Sequence, residues 1–289
     1  MDGYDIYHAL ELKYRGVPLL SGHEAKRILS MKDGRVLASF DLSLSFQEAM
    51  LDSMGLKAGE IWIGLDELGR MAEKAEDIYV IGDRPRKLAF YAGKFYRLIQ
   101  PAWGHAPTLE IDGIRMHRTA GVYPEEDARS KVWLLGNLAD KKVLDICTGL
   151  GYTATEAIRR GARKVITVET DPNVLEMCSY NPWSRQIFTE SVEIVLSDAK
   201  AFLEKCDEKF DAVILDPPTI RMAGELYSSE FYSLLAAIIR EGGMLVHYVG
   251  EPGRVRGRRL YVGVMNRLRK AGFRPRYVAE ARSISAYKL

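Results

Sequence analysis

The chain has 289 residues, 47% of them hydrophobic and 28% charged, with a formal net charge of +2, enough to bury one large core beside a smaller one. No apolar run reaches the roughly eighteen residues of a membrane span, and the opening residues carry Asp2, Asp5, Glu11, Lys13 and Arg15 without a cleavable apolar stretch, so a soluble, cytoplasmic protein is expected. Cys147, Cys178 and Cys206 are odd in number and lack paired short spacing, which leaves neither a disulfide framework nor a metal site to be expected.

In chain order, the first 118 residues read as a separate, smaller α/β domain (1–118) with a helical start. An alternating stretch at 36–46 suits a half-buried strand, and 66–76 a short helix. Strands are expected at 78–81, 87–91, 94–99 and 109–117, with turns at Gly82-Asp83, Ala92-Gly93 and Asp112-Gly113. Arg84, Arg86, Lys87, Tyr91, Lys94, Tyr96, Arg97 and Trp103 are candidates for a stacking and phosphate-binding surface, an ordinary sheet face being the alternative.

From about Tyr123 strand-length apolar runs alternate with segments of helical period, the mark of a parallel sheet wound with helices, here a domain over 119–289. Strands are expected at 142–146, 164–169, 192–196, 210–215 and 243–248, helices at 154–160, 173–180, 199–205, 229–240 and 260–271, and a closing strand pair within 274–287. From Pro252 onward eleven basic residues, Arg254, Arg256 and Arg258 among them, face one acid, Glu280; such a segment fits a polyanion such as RNA, a solvated, salt-bridged surface being the alternative. Scarce amides, four Asn and three Gln, beside abundant Lys, Arg and Glu point to a thermophilic source.

Val143 to Gly151 reads as an apolar strand, containing Asp145, that breaks into a turn with Thr148, Gly149 and Gly151 and then feeds a helix. The two glycines let backbone pass close to a ligand and tolerate positive φ. Glu169 ends the next strand, 24 residues beyond Asp145, where an acid can accept from both hydroxyls of a ribose. Asp171 follows it, and Asp198 with Ala199 ends the third strand, where a carboxylate and an amide can meet an adenine. A pyrophosphate-binding turn would carry a third glycine, but Ala154 stands at that place. These segments, 145–151, 169–171, 198–199 and 216–219, resemble the motifs of Rossmann-like class I methyltransferases, over roughly residues 120–289. The resemblance implies S-adenosylmethionine as cofactor, a doubly wound α/β sheet, and Tyr123 ahead of the first strand closing over the cofactor. Cys147 departs from it, standing where that family commonly has the first glycine.

At the end of the fourth strand stands Asp216-Pro217-Pro218-Thr219. Two prolines stiffen the chain and remove two donors, leaving carbonyl oxygens beside a carboxylate to accept from an amine. The tetrapeptide resembles the Asp/Asn-Pro-Pro-aromatic motif of amino-methyltransferases acting on DNA, RNA or protein glutamine, which implies transfer to nitrogen with Asp216, Pro217 and Pro218 catalytic; taken together with the basic segment it points to RNA (rRNA or tRNA, cytosine or adenine). Thr219 departs from the aromatic, so the stacking partner is sought among Tyr123, Tyr227, Phe231 and Tyr248. Thr219, Tyr227, Tyr248, Arg254, Arg256 and Arg258 are the substrate-side candidates. His247 reads as a satisfied core histidine rather than a base.

Gly224-Glu225-Leu226-Tyr227-Ser228-Ser229-Glu230-Phe231-Tyr232 and Gly242-Gly243-Met244-Leu245-Val246 are similar to polyamine aminopropyltransferases, which share the fold and use decarboxylated S-adenosylmethionine. The combined pattern resembles archaeal predicted methyltransferases. The paired prolines and the basic segment argue against a cationic substrate and keep the aminopropyl reading second, with a non-catalytic RNA-binding module third.

Overall fold

Residues 8–9, 12–218, 223–250, 254–255 and 258–289 are described by the computed structural model. They fall into two units, one of 1–12, 126–175 and 186–289, the other of 13–125 and 176–185.

The first unit is built on one sheet of eight strands: β1 (His8–Ala9), β2 (Lys142–Ile146), β3 (Lys164–Glu169), β4 (Val192–Leu196), β5 (Phe210–Leu215), β6 (Ile239–Tyr248), β7 (Phe273–Val278) and β8 (Ser283–Lys288). Their spatial order is β1-β4-β3-β2-β5-β6-β8-β7. β2 to β6 run parallel, and β8 pairs antiparallel with both β6 and β7. β2, β3 and β5 are buried along nearly their whole length, as strands covered on both faces must be. Hence Val143, Val165 and Val213 stand where a half-exposed strand would alternate with polar residues. The chain winds from β2 outward through β3 to β4, then returns to β2's other side with β5. That reversal makes a crevice at the carboxyl ends of β2 and β5.

The helices are α1 (Pro124–Trp133), α2 (Tyr152–Arg159), α3 (Pro172–Tyr180), α4 (Ala199–Lys205), α5 (Ser229–Ile238) and α6 (Leu260–Lys270). Asp198 caps α4 by accepting from the Ala201 amide, and Ser228 caps α5 by accepting from that of Phe231, each satisfying an amide the helix leaves unpaired. Phe231, Tyr232, Leu235 and Phe210 lie in the core that α5 and the sheet share. Phe231 is therefore not a stacking partner for substrate.

The strands expected at 142–146, 164–169, 192–196 and 210–215 and the helix at 199–205 stand as expected, and the other four expected helices differ by one or two residues at an end. β6 begins earlier than expected, at Ile239. Its register against β5 slips between Phe210 and Ala212, and Gly242 there takes φ 76°. α1 was not foreseen, since its sequence has no apolar stripe.

The second unit holds antiparallel sheets and two short helices, Gly22–Leu29 and Leu65–Ala72. The expected helical start is instead extended at His8–Ala9 and Leu19–Ser21, the first helix beginning at Gly22. The single strand expected at 36–46 is a hairpin, Gly34–Ala38 against Gln47–Leu51, because Leu42 and Ser43 take positive φ and turn the chain. The Asp112-Gly113 turn forms as expected, both residues at positive φ.

The proposed aromatic and basic surface does not assemble as one face. Tyr96 is paired with Phe90, while Phe95 is paired with Tyr91. Alternation then sends Tyr96 into the core, 2% exposed, and leaves Tyr91 outside. Arg97 is bound by Glu110 at 2.6 Å, Lys87 by Asp77 at 2.6 Å, and the Trp103 indole N–H donates to Glu24 at 2.7 Å.

Candidate active site

β2 ends at Ile146, and the next five residues turn the chain into α2. Cys147, Gly149 and Gly151 take φ of 73°, 54° and 70°. Cys147 thus adopts the left-handed backbone that the resemblance assigned to a glycine, at a strain of roughly 1–2 kcal/mol. The Cys147 and Thr148 amides donate to the Val168 carbonyl at 2.9 and 3.1 Å, tying the turn to β3. Gly151 is required twice over: its φ is left-handed, and a Cβ there would lie 2.8 Å from Ile187 Cδ1. Gly151→Ala is therefore expected to cost about 1–3 kcal/mol in denaturant unfolding, and an unchanged midpoint would show that the turn has room.

Asp145 sits beneath this turn, fully buried. Thr153 Oγ1 donates to its Oδ1 and Thr167 Oγ1 to its Oδ2, both at 2.8 Å, and the Thr148 and Thr167 hydroxyls are 2.7 Å apart. Asp145 and Thr148 therefore brace the turn from within. Burial pushes the Asp145 carboxyl up to about 7, against the pull of the two threonine hydroxyls.

Glu169, at the end of β3, accepts from three backbone amides: Gly149 at 3.0 Å on Oε2, Thr170 at 2.9 Å and Asp171 at 3.1 Å on Oε1. Oε2 keeps a lone-pair site for a further donor. Burial raises the carboxyl despite these amides. Asp171 accepts from the Asn173 amide at 2.9 Å, closing the turn into α3. Asp198 stands exposed at the end of β4 with Ala199 beside it; one of its oxygens caps α4.

On the other side of the reversal, the Asp216 amide donates to the Ile146 carbonyl at 3.2 Å, so Asp216 follows β5 directly beside the start of the glycine turn. Its carboxylate is held by Lys131 Nζ, 2.7 Å from each oxygen. The same ammonium lies 2.7 Å from Asp127 Oδ2, one turn earlier on α1, and 4.0 Å from the centre of the Tyr248 ring. Burial opposes the lysine's charge, but Asp216 and then Asp127 outweigh it and raise its pKa. The Asp216 carboxyl is itself pushed up by burial and drawn down by Lys131.

The Tyr227 hydroxyl donates to the Pro218 carbonyl at 3.2 Å and lies 3.5 Å from that of Tyr248. At 3% exposure Tyr227 supports the proline backbone and offers no ring face; Tyr248 is half-buried under Lys131. Behind them His247 is fully buried. The Leu215 carbonyl, 3.3 Å from Nδ1, can only accept, so Nδ1 carries the proton and Nε2 accepts from Tyr232 at 3.1 Å. Burial drops His247 to about 3, in keeping with a satisfied core histidine.

Tyr123 belongs to the other unit, where its ring stacks on His105 at 3.3 Å. Thr219 and Arg256 lie outside the described residues, and Arg254 and Arg258 are described through a backbone hairpin, Arg254–Val255 against Arg258–Arg259. Two cations of the basic segment turn inward: Arg267 bonds Tyr232, and Lys288 Nζ donates to the Ile239 carbonyl at 2.7 Å. Asp127, Lys131 with its partners, Thr153 and Thr167 are additions to the site. The spacing of Asp127 and Lys131, one helical turn, was the available signal; nothing local marked the threonines. Among the described residues no group of His, Cys, Asp or Glu is placed to hold a metal, and no helix is long and apolar enough to cross a membrane.

The strand order, the glycine turn and the acids ending neighbouring strands define a Rossmann-like α/β fold of the methyltransferase type. The spermidine synthase of Thermotoga maritima shares it, with a TM-score of 0.53 and 20% identity over 71% of this chain and 75% of that one. A spermidine synthase bound to the transition-state analogue AdoDATO does so with a TM-score of 0.54 and 20% identity over 71% of this chain and 76% of that one. The chain belongs to the family of Uncharacterized protein MJ1233 of Methanocaldococcus jannaschii, to which it is 41% identical over 272 residues, 91% of this chain and 93% of that protein. A family model described as conserved hypothetical protein 95 matches residues 127–248. Polyamine aminopropyltransferase 2 of Hyperthermus butylicus is 32% identical over 144 residues, 47% of each chain, so the chain spans about half of that relative.

Proposed function

We propose that the protein is an S-adenosylmethionine-dependent N-methyltransferase whose acceptor is an exocyclic base amine of RNA. The observation that carries this reading is the hydrogen bond from the Asp216 amide to the Ile146 carbonyl, which sets Asp216-Pro217-Pro218 against the glycine turn. The donor set fits the cofactor: a turn without side chains at Gly149 and Gly151, Glu169 with an acceptor site left for a ribose hydroxyl, and exposed Asp198 for the adenine end. S-adenosylmethionine supplies an electrophilic methyl on a sulfonium.

The chain's own groups align the acceptor. An exocyclic amine is a poor nucleophile because its lone pair is delocalised into the ring. The Asp216 carboxylate and the Pro217 carbonyl accept its two N–H groups and turn the lone pair toward the methyl carbon. Methyl transfer from that sulfonium would place positive charge on the nitrogen, which the Asp216 carboxylate would stabilise until the amine's proton passes to water. Such alignment and charge stabilisation is typically worth about 3 kcal/mol per contact. The basic segment beyond Pro252 supports RNA as the partner. Transfer of labelled methyl to RNA, followed by nucleoside mass spectrometry of native and deletion strains, tests the reading; an unchanged nucleoside profile in both overturns it.

The aminopropyl reading is favoured by the similarity to polyamine aminopropyltransferases over about half the chain. Calorimetry separates the two: a clear preference for decarboxylated S-adenosylmethionine over S-adenosylmethionine would replace the first reading by the second.

Asp145 gives the site a pH dependence. Its folded pKa of about 7 lies above that of an unfolded aspartate, so the folded state binds the extra proton and loses stability as pH rises from about 4 to 7. A bound sulfonium prefers the ionised form, so cofactor affinity should rise across about pH 5.5 to 7.5. Asp145→Asn should lessen both trends, leaving the part that Glu169 and Asp216, whose carboxyls burial also raises, contribute; slopes equal to those of the native chain, followed by thermal unfolding and calorimetry, would assign the titration elsewhere.

A further inference from the structure

Two carboxylates and an aromatic face converging on one point form a recognition set for an alkylammonium ion. Asp127, Asp216 and the Tyr248 ring make such a set, and its occupant is a side chain of the protein itself: Lys131 Nζ, at 2.7 Å from each acid and 4.0 Å from the ring centre. The side chain is 6% exposed and that of Asp127 4%, whereas that of Asp216, which follows β5 beside the glycine turn, keeps 20%.

We propose that Lys131 is a specificity-determining residue: its ammonium fills the cation seat beside the acceptor position and so shuts out polycationic amines, leaving a neutral amine nitrogen as the acceptor. This rests on the reading of Asp216 as the residue that faces the acceptor. Specificity can come from charges denied to the wrong substrate as much as from contacts offered to the right one. A free polyamine meeting this site finds both carboxylates already neutralised by a cation tethered one helical turn from Asp127, and a tethered group competes at a high effective concentration. A neutral base amine needs no unpaired carboxylate; it needs an acceptor oxygen of fixed direction, and the two-oxygen grip of Lys131 fixes that of Asp216.

The test uses the full chain, spermidine as the probe cation, and calorimetry at low salt. Lys131→Met alone leaves two buried carboxylates without a counter-charge and can fail to fold. The double variant Lys131→Met/Asp127→Asn removes one cation and one anion and keeps the net charge of the cluster, its folding being checked by thermal unfolding. The double variant is expected to bind spermidine at least tenfold more tightly than the native chain, and a further Asp216→Asn change to abolish that gain. Equal or weaker binding by the folded double variant overturns the proposal, as does native protein that binds spermidine as tightly as the variant. Methyl transfer to RNA by the native chain is assayed separately. Its absence alongside the spermidine gain rejects the RNA reading and leaves the role of Lys131 standing.

Discussion

Asp216→Ala should lower methyl transfer by about 10²–10³-fold while leaving S-adenosylmethionine affinity within a few fold, because in the proposed mechanism the substitution removes a group that acts on the acceptor as charge develops. The geometry allows that separation. The contacts that shape the glycine turn come from Val168, Glu169, Thr153 and Thr167, none of which bonds Asp216. Folding should survive, since Lys131 would still have Asp127 at 2.7 Å and the Tyr248 ring; the reverse change, removing the lysine, leaves two acids uncompensated. Asp216→Asn should fall between native and alanine variants, its carbonyl oxygen still accepting from an amine without the carboxylate's charge. Single-turnover transfer with calorimetry in parallel reads both quantities, and native turnover in the alanine variant would remove Asp216 from the mechanism.

Glu169→Ala is expected to weaken cofactor binding by more than about a hundredfold and to lower the unfolding temperature. Three partly buried backbone amides, of Gly149, Thr170 and Asp171, lose their acceptor at once; a fully buried amide left unpaired costs about 1–3 kcal/mol, and one that water can reach, as at exposed Thr170, costs less. Glu169→Gln is less conservative than its shape implies. One half of an amide can still accept from Thr170 and Asp171, but the other would bring an NH2 against the Gly149 N–H, donor to donor. The glutamine variant should therefore also bind poorly, by about tenfold or more. Near-native affinity in both variants would show that the turn holds its shape without Glu169.

The parallel strands were legible because each is a short apolar run ended by a turn residue, and burial on both faces leaves little other composition available. The Gly149–Gly151 turn was legible for a related reason: positive φ is a property of single residues, and glycine advertises it. Cys147 shows the limit, since its left-handed backbone is imposed by the amide bonds of the turn to Val168 and no residue preference announces it. The second unit was read less well, its short hairpins depending on Leu42 and Ser43 at positive φ and on pairings between distant segments.

The sequence by itself determined the doubly wound class of the larger unit, the turn after its first parallel strand, the acids that end the neighbouring strands, and Asp216-Pro217-Pro218 at the end of the fourth. Each is a contiguous stretch whose local conformation and chemistry coincide. Only the tertiary structure decided what those residues face. Lys131 reaches Asp216 across 85 positions, Ile187 closes the space over Gly151, and Tyr232 with Leu215 fixes the neutral tautomer of His247. The physical reason is that a buried charge or polar group must find its partner wherever the winding of the sheet brings one. That winding, not any spacing along the chain, placed a lysine between Asp127 and Asp216.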